Sequence, residues 1–153
     1  MVREFWGHDV SEEWLIRKIG ATPDDGASPR QLVGYLRQSR HRVKQYHNMI
    51  LPDIAASIDR GWPVIVAYQD WPHRPSETDL TRTYDNGHYA VVIGLQGCRI
   101  WLADPSSDRR RRSLDTEEFI GRWRDIETSG KIIKRWGVCV GPRYTARERI
   151  SRK

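Results

Sequence analysis

The chain has 153 residues, 38% hydrophobic and 30% charged, and a net charge of +6. That is enough for one domain burying about two-thirds of its unfolded surface. No run approaches the roughly 18 apolar residues of a membrane span, and no basic-then-apolar leader opens the sequence, which points to a cytoplasmic protein without an export signal. The two cysteines, Cys98 and Cys139, have neither disulfide-framework nor metal-ligand spacing, so a reducing compartment is expected.

In chain order, Met1 to Gly7 carries apolar residues at 1, 2, 5 and 6, one face of a short helix that Gly7 stops. It reads as the last turns of a longer helix. Asp9 or Ser11 then caps a second helix with acids in its first turn, bases in its last, and Trp14, Leu15 and Ile19 toward the core. After a Pro, Asp and Gly loop, Ser28-Pro29 repeats the start signal, and a third helix runs to about Ser39. A short extended piece is expected around Val43, with His41 and His47 at the surface. Leu51-Pro52-Asp53 opens a fourth helix ending at Arg60-Gly61, and Trp62 to Tyr68 is a clear strand. Gln69 to Asn86 is a long polar loop with Trp71, Pro72, His73 and Pro75, of the kind that forms functional rims.

Two apolar runs follow, Gly87-His88-Tyr89-Ala90-Val91-Val92-Ile93-Gly94 and Ile100-Trp101-Leu102-Ala103-Asp104-Pro105. They read as a buried hairpin with His88 opening one strand and Asp104 closing the other. A three-residue loop Leu95-Gln96-Gly97, with Gly97 at positive φ, pairs Gly94 with Cys98, Val92 with Ile100, Ala90 with Leu102 and His88 with Asp104. Opposed Cβ atoms lie about 4.5–5.5 Å apart, so imidazole and carboxylate meet. A two-residue loop at Gln96-Gly97 would place them on opposite faces. A histidine oriented by an acid is two-thirds of a nucleophilic triad; a plain strand start and an Asp-Pro turn are the structural alternative. Beyond the hairpin come a basic loop from Ser106 to Arg112, a helix from Asp115 to Trp123 and a last strand from Arg135 to Val140. Helices first and mostly antiparallel strands after make an α+β fold. The domain is placed at residues 1–142, and 143–153 form a basic tail.

The positive charge raises nucleic acid as a partner. It is concentrated in Arg109 to Arg112 and in the tail, runs that usually are solvated, and no DNA- or RNA-binding motif accompanies them. A metal site on His88, Asp85 and Asp104 lacks a second histidine at ligand spacing, so neither metal nor cofactor is expected.

The order Trp6-Gly7, Val10-Ser11-Glu12-Glu13, Gly26, the helix ending at Gly61, Pro63-Val64-Ile65-Val66, Gly87 to Gly94, Asp104-Pro105 and Phe119 to Trp123 resembles the Peptidase_C39-like group. These are papain-fold cysteine peptidases related to bacteriocin-processing leader peptidases, and the resemblance covers nearly the whole chain. It implies a papain-like fold, a peptide or protein substrate, His88 as general base and Asp104 as the residue that orients it. The group's nucleophilic Cys begins a buried N-terminal helix, in an Asp-Cys-Gly-Pro-like motif with an oxyanion-stabilising Gln just before it. Neither occurs here, and Met1 to Gly7 matches the end of that helix, so the nucleophile is expected upstream of Met1. Cys98 lies too far along the hairpin to substitute, and Cys139, between Val138 and Val140, reads as a small core hydrophobe. Three functions are thus weighed: a thiol peptidase completed by an upstream cysteine, a non-catalytic peptide-binding module of the same fold, and a basic nucleic-acid-contacting protein.

Overall fold

The helices form where local chemistry starts and stops them. In the computed structural model, which describes residues 1–8, 10–23, 26–70, 82, 84, 87–104 and 111–144, α1 spans Val2–Phe5 and ends before Gly7 at φ +74°. The second helix, α2 (Glu12–Ile19), begins at Ser11, whose Oγ accepts from the Trp14 N–H, and ends at Gly20 in the left-handed region. Ser28 and Gln31 exchange hydrogen bonds in a full capping box at the head of α3 (Pro29–Gln38). Gln31 Nε2 also donates to the Gly20 carbonyl at 2.7 Å, tying α3 to the end of α2. The fourth helix, α4, spans Leu51–Asp59, and α5 spans Thr116–Arg122 with Asp115 as its cap. None of these helices is long and apolar enough to cross a membrane.

Six strands make one sheet: β1 (His41–Tyr46), β2 (Val64–Gln69), β3 (Gly87–Gln96), β4 (Arg99–Ala103), β5 (Arg111–Asp115) and β8 (Gly137–Arg143). Their order is β1-β8-β2-β3-β4-β5, and every neighbouring pair is antiparallel. Two three-residue strands, β6 (Arg124–Ile126) and β7 (Ile132–Lys134), pair separately. The architecture is α+β, as the element order implies. Both faces of the sheet are covered, so β2 is buried at all six residues. Val64, Val66 and Tyr68 face a core with Val92, Leu102, Ile54 of α4 and Phe119 of α5. Ile65 and Ala67 face a second core with Val138, Val2 of α1, and Val33 and Leu36 of α3. The period-two alternation of side chains along one strand feeds both cores.

The hairpin register differs from the expected one. Gln96 pairs with Arg99 and Leu95 with Ile100, so the turn is Gly97-Cys98 alone. Gly97 does hold a positive φ, +55°, but at the first central position of a two-residue turn. Such a turn by itself sends His88 and Asp104 to opposite faces. A bulge at Ile93 restores them: beyond it Val92 pairs with Leu102 and Val91 with Ala103. Continued by one residue, that register sets Asp104 level with Ala90, making His88 its diagonal neighbour on the same face.

Other readings also change. The residues Arg111 and Arg112 open the edge strand β5 instead of closing a loop. His41 is 2% exposed, not superficial, and its Nδ1–H donates to the Gly141 carbonyl at 3.0 Å. Asp9, Trp71, Pro72, His73, Pro75, Asp85, Pro105, Arg109 and the tail beyond Tyr144 lie outside the described residues.

Gly141 in β8 accommodates an aromatic ring: a Cβ there would stand 2.5 Å from Trp62 Cε2. A packed indole cannot slide away as a flexible chain does. Gly141→Ala is therefore expected to cost about 1–3 kcal/mol, the usual range for overpacking, measured as a lower urea midpoint at unchanged slope.

Candidate active site

Three strand ends converge on one spot. His88 is the second residue of β3 and pairs across the ladder with Tyr68 of β2. Asp104 follows the last residue of β4. His88 Nε2 lies 2.9 Å from Asp104 Oδ1, with the imidazole 19% exposed and the carboxylate fully buried. A carboxylate only accepts, so Nε2 carries the hydrogen and the neutral ring offers Nδ1 as its basic nitrogen. Among the described residues, Nδ1 has no hydrogen-bond partner. This is the geometry of an oriented general base: one ring nitrogen fixed by an acid, the other free to take a proton.

The acid is itself part of a buried array. The Tyr68 hydroxyl lies 3.0 Å from Asp70 Oδ2 and 3.3 Å from Asp104 Oδ2. Asp70, 2% exposed, accepts from Arg112 Nη2 at 2.6 Å, and Arg122 Nη1 lies 3.7 Å from the same oxygen. Burial pushes the Tyr68 phenol far above the ordinary tyrosine range, which keeps it protonated as a donor. None of Tyr68, Asp70, Arg112 or Arg122 stands out in the sequence. The available signal was Tyr68-Gln69-Asp70, polar residues closing an otherwise apolar strand.

His88 also lines a cleft of about 290 Å³ with Ser28, the cap of α3, Tyr84, Asp125 and Glu127. Asp125 Oδ1 accepts from the Ile126 N–H at 2.8 Å and from Gln69 Nε2 at 3.3 Å. Burial nevertheless raises its carboxyl to about 6, and Glu127 adds to the rise. Gly87 lets the carboxylate come this close, since a Cβ there would fall 2.2 Å from Asp125 Oδ1 and Asp125 would have to move. A second, more apolar cavity of about 380 Å³ runs between α1, α2, α3 and the sheet, lined by Val2, Leu15, Leu36, Ile65 and Val91. The two spaces share Ala27 and Tyr89 as walls.

Neither cysteine belongs to this site. Cys98 is exposed in the hairpin turn, past the end of β3 at Gln96, which lies eight residues from His88, or roughly 27 Å at strand rise. Cys139 pairs with Val64, four residues along β2 from Tyr68, or about 14 Å. It is buried, and burial pushes its thiol up, away from the reactive thiolate. Donor atoms of Asp70, His88 and Asp104 all lie within 4.8 Å of one another, a set that could in principle ligate a cation. Arg112 and Arg122 already compensate Asp70, however, and a divalent ion would have to displace them. The donor set fits hydrogen bonding better than ligation.

Comparison with known proteins bears on the family and the fold. The model of the Peptidase_C39 like family matches residues 1–131. Among solved structures, the peptidase domain of Streptococcus ComA, described as a bi-functional ABC transporter involved in a quorum sensing pathway, aligns with a TM-score of 0.63 at 16% identity. The alignment covers 93% of this chain and 85% of that one. A putative C39-like peptidase from Bacillus anthracis aligns with a TM-score of 0.65 at 13% identity, over 94% of this chain and 86% of that one. At those identities the likeness is one of fold. No curated protein matches the sequence.

The raised carboxyl of Asp125 has a thermodynamic consequence. Its folded-state value of about 6 lies above the unfolded 3.8, so the folded protein holds the extra proton between them. Its contribution to stability is present below about pH 4 and lost as pH rises through about 6. Asp125→Asn should therefore gain on the wild type between pH 4 and pH 7, measured by urea unfolding of both at each pH. A stability difference independent of pH would contradict the assignment.

Proposed function

The chain belongs to the Peptidase_C39 like family, and from that premise we propose that it is the base-carrying part of a thiol peptidase, acting on a peptide or protein. The observation that carries the reading is the 2.9 Å contact of His88 Nε2 with buried Asp104, which leaves Nδ1 facing no competing partner among the described residues. His88 is the general base and Asp104 fixes its tautomer. The nucleophile is a cysteine thiol on a helical segment that continues α1 at its N-terminal side and seats in the apolar cavity. Two features support that placement. Met1 and Val2 line the cavity, which shares walls with the His88 cleft. Both cysteines of the 153 residues stand well beyond the roughly 3 Å reach of proton transfer.

In the reaction, Nδ1 takes the thiol proton as sulfur attacks the carbonyl carbon of the scissile bond. The imidazolium, held by Asp104, returns that proton to the departing amine as the C–N bond breaks. Water then attacks the thioester, giving its proton to Nδ1, and the acid product and the thiol are released. The charge that develops on the ring is met by a carboxylate at hydrogen-bond distance, which stabilises it more than an exposed partner would.

A second reading is favoured by the same lack of a near thiol: the cleft binds a peptide without cutting it. The nucleic-acid reading loses part of its footing. Arg112, from the basic run, is committed to Asp70 and lies over the Tyr68 ring instead of facing solvent.

The test is thiol-dependent hydrolysis of a peptide mixture, followed by mass spectrometry, using protein expressed from the natural gene. His88→Ala and Asp104→Asn are expected to lower kcat/KM by about 10²–10⁴-fold, the scale of losing a general base. Undiminished turnover by His88→Ala would overturn the peptidase reading. Retention of peptides without cleavage would favour the binding module.

A further inference from the structure

Asp125 is held by one carboxylate oxygen and offers the other. Its Oδ1 accepts from the Ile126 N–H at 2.8 Å and from Gln69 Nε2 at 3.3 Å. Its Oδ2 has no hydrogen-bond or ion-pair partner among the described residues. Two donors thus fix the carboxylate, and Gly87, with no Cβ, leaves the space in which it stands. Both residues line the cleft that also holds His88.

That cleft has no counter-ion of its own. Among the described residues no lysine or arginine lines it, and Glu127 adds a second carboxylate. Arg124, next to Asp125 in sequence, donates through Nε and Nη2 to the Gly121 carbonyl instead. Asp70, the other acid of this region, is answered by Arg112 and Arg122. A half-buried carboxylate without such an answer costs stability, and here it persists in a chain of net charge +6.

The space suits a long side chain. Its volume of about 290 Å³ is far above the roughly 10–15 Å³ that one water needs. Pro29, Ile126 and Ile133 give it apolar walls beside the two acids. Lysine and arginine lay their methylene stems along such walls while the charged head reaches a polar group.

We propose that Asp125 is a specificity-determining residue: its Oδ2 takes the cationic head of a lysine or arginine side chain of the bound peptide, at or beside the residue whose carbonyl faces His88. The proposal rests on the reading of the His88 cleft as the substrate site, but the preference is one of binding and needs no turnover.

The experiment titrates protein expressed from the natural gene with capped pentapeptides, acetyl-Ala-Ala-X-Ala-Ala-amide, where X is lysine, arginine, methionine or glutamate. Affinities and the Asp125 carboxyl carbon are followed by NMR. At neutral pH the lysine and arginine peptides are expected to bind about five- to tenfold more tightly than the methionine peptide, between the worth of an exposed and a buried charge pair. The glutamate peptide should bind more weakly than the methionine one. In the wild type, the lysine peptide should hold the Asp125 carboxyl ionised and bring its titration midpoint below about 6, and the methionine peptide should not. In Asp125→Asn the lysine-to-methionine affinity ratio should fall toward one. An unchanged ratio in folded Asp125→Asn, including an equal loss for both peptides, would mark Asp125 as structural and overturn the proposal. So would a carboxyl midpoint indifferent to the lysine peptide, or no measurable binding of any peptide. Should Asp125→Asn not fold, the wild-type carboxyl titration decides. Hydrolysis that depends on His88 but shows no lysine preference would overturn this proposal and leave the peptidase reading standing. A lysine preference without hydrolysis would uphold it as a property of a peptide-binding module.

Discussion

The hydrogen bond from His88 to Asp104 needs a fully buried carboxylate at the end of a strand, and much of the surrounding architecture follows from that need. Burying a carboxylate is costly unless its lone pairs are met. A second carboxylate, Asp70, lies across the same tyrosine hydroxyl, which doubles the problem. The compensation comes from outside β2, β3 and β4: Arg112 from β5 and Arg122 from α5 reach in to Asp70. The last strand of the sheet and the helix after it therefore carry charges that the site requires, besides covering the core with Phe119.

The same spot depends on a defect in the ladder. A regular hairpin with the turn Gly97-Cys98 would separate His88 from Asp104 by a face of the sheet. One extra residue at Ile93 realigns them. The change of face is visible in the core: Ala90 and Val92 point to one side before the bulge, and Leu95 joins that side after it. Bulges are common next to sites because they re-aim side chains without altering the rest of the strand. On the other side of His88, Gly87 leaves room for Asp125, whose carboxyl forms the polar wall of the cleft.

Much of this was legible in the sequence, wherever a local rule had one solution. Ser28-Pro29, Gly20 and Gly61 mark helix ends because capping and positive φ act within a few residues. The hairpin and the meeting of its two candidate site residues, His88 and Asp104, were readable from apolar runs closed by polar ends. The register was not. Nothing in Val92-Ile93-Gly94 distinguishes a bulge from a regular strand, and the position of Gly97 within its turn is compatible with two loop lengths. Arg111-Arg112-Ser113-Leu114-Asp115 was missed as a strand because its charges answer buried partners that are distant in sequence. His41 was misjudged for a related reason. Its neighbours Arg40 and Arg42 are polar, while its burial comes from β8 across the ladder. In each case a long-range contact overrode a local pattern.

The central claim, that His88 and Asp104 activate a thiol, is tested most directly by finding which residue reacts. Protein from its natural source would be treated with a substrate-like peptide electrophile, and the modified residue mapped by mass spectrometry in wild type and in His88→Ala. The account predicts one adduct, on a cysteine other than Cys98 and Cys139, strongly reduced by His88→Ala. An adduct on Cys98 or Cys139 that abolishes activity, or labelling indifferent to His88, would contradict it.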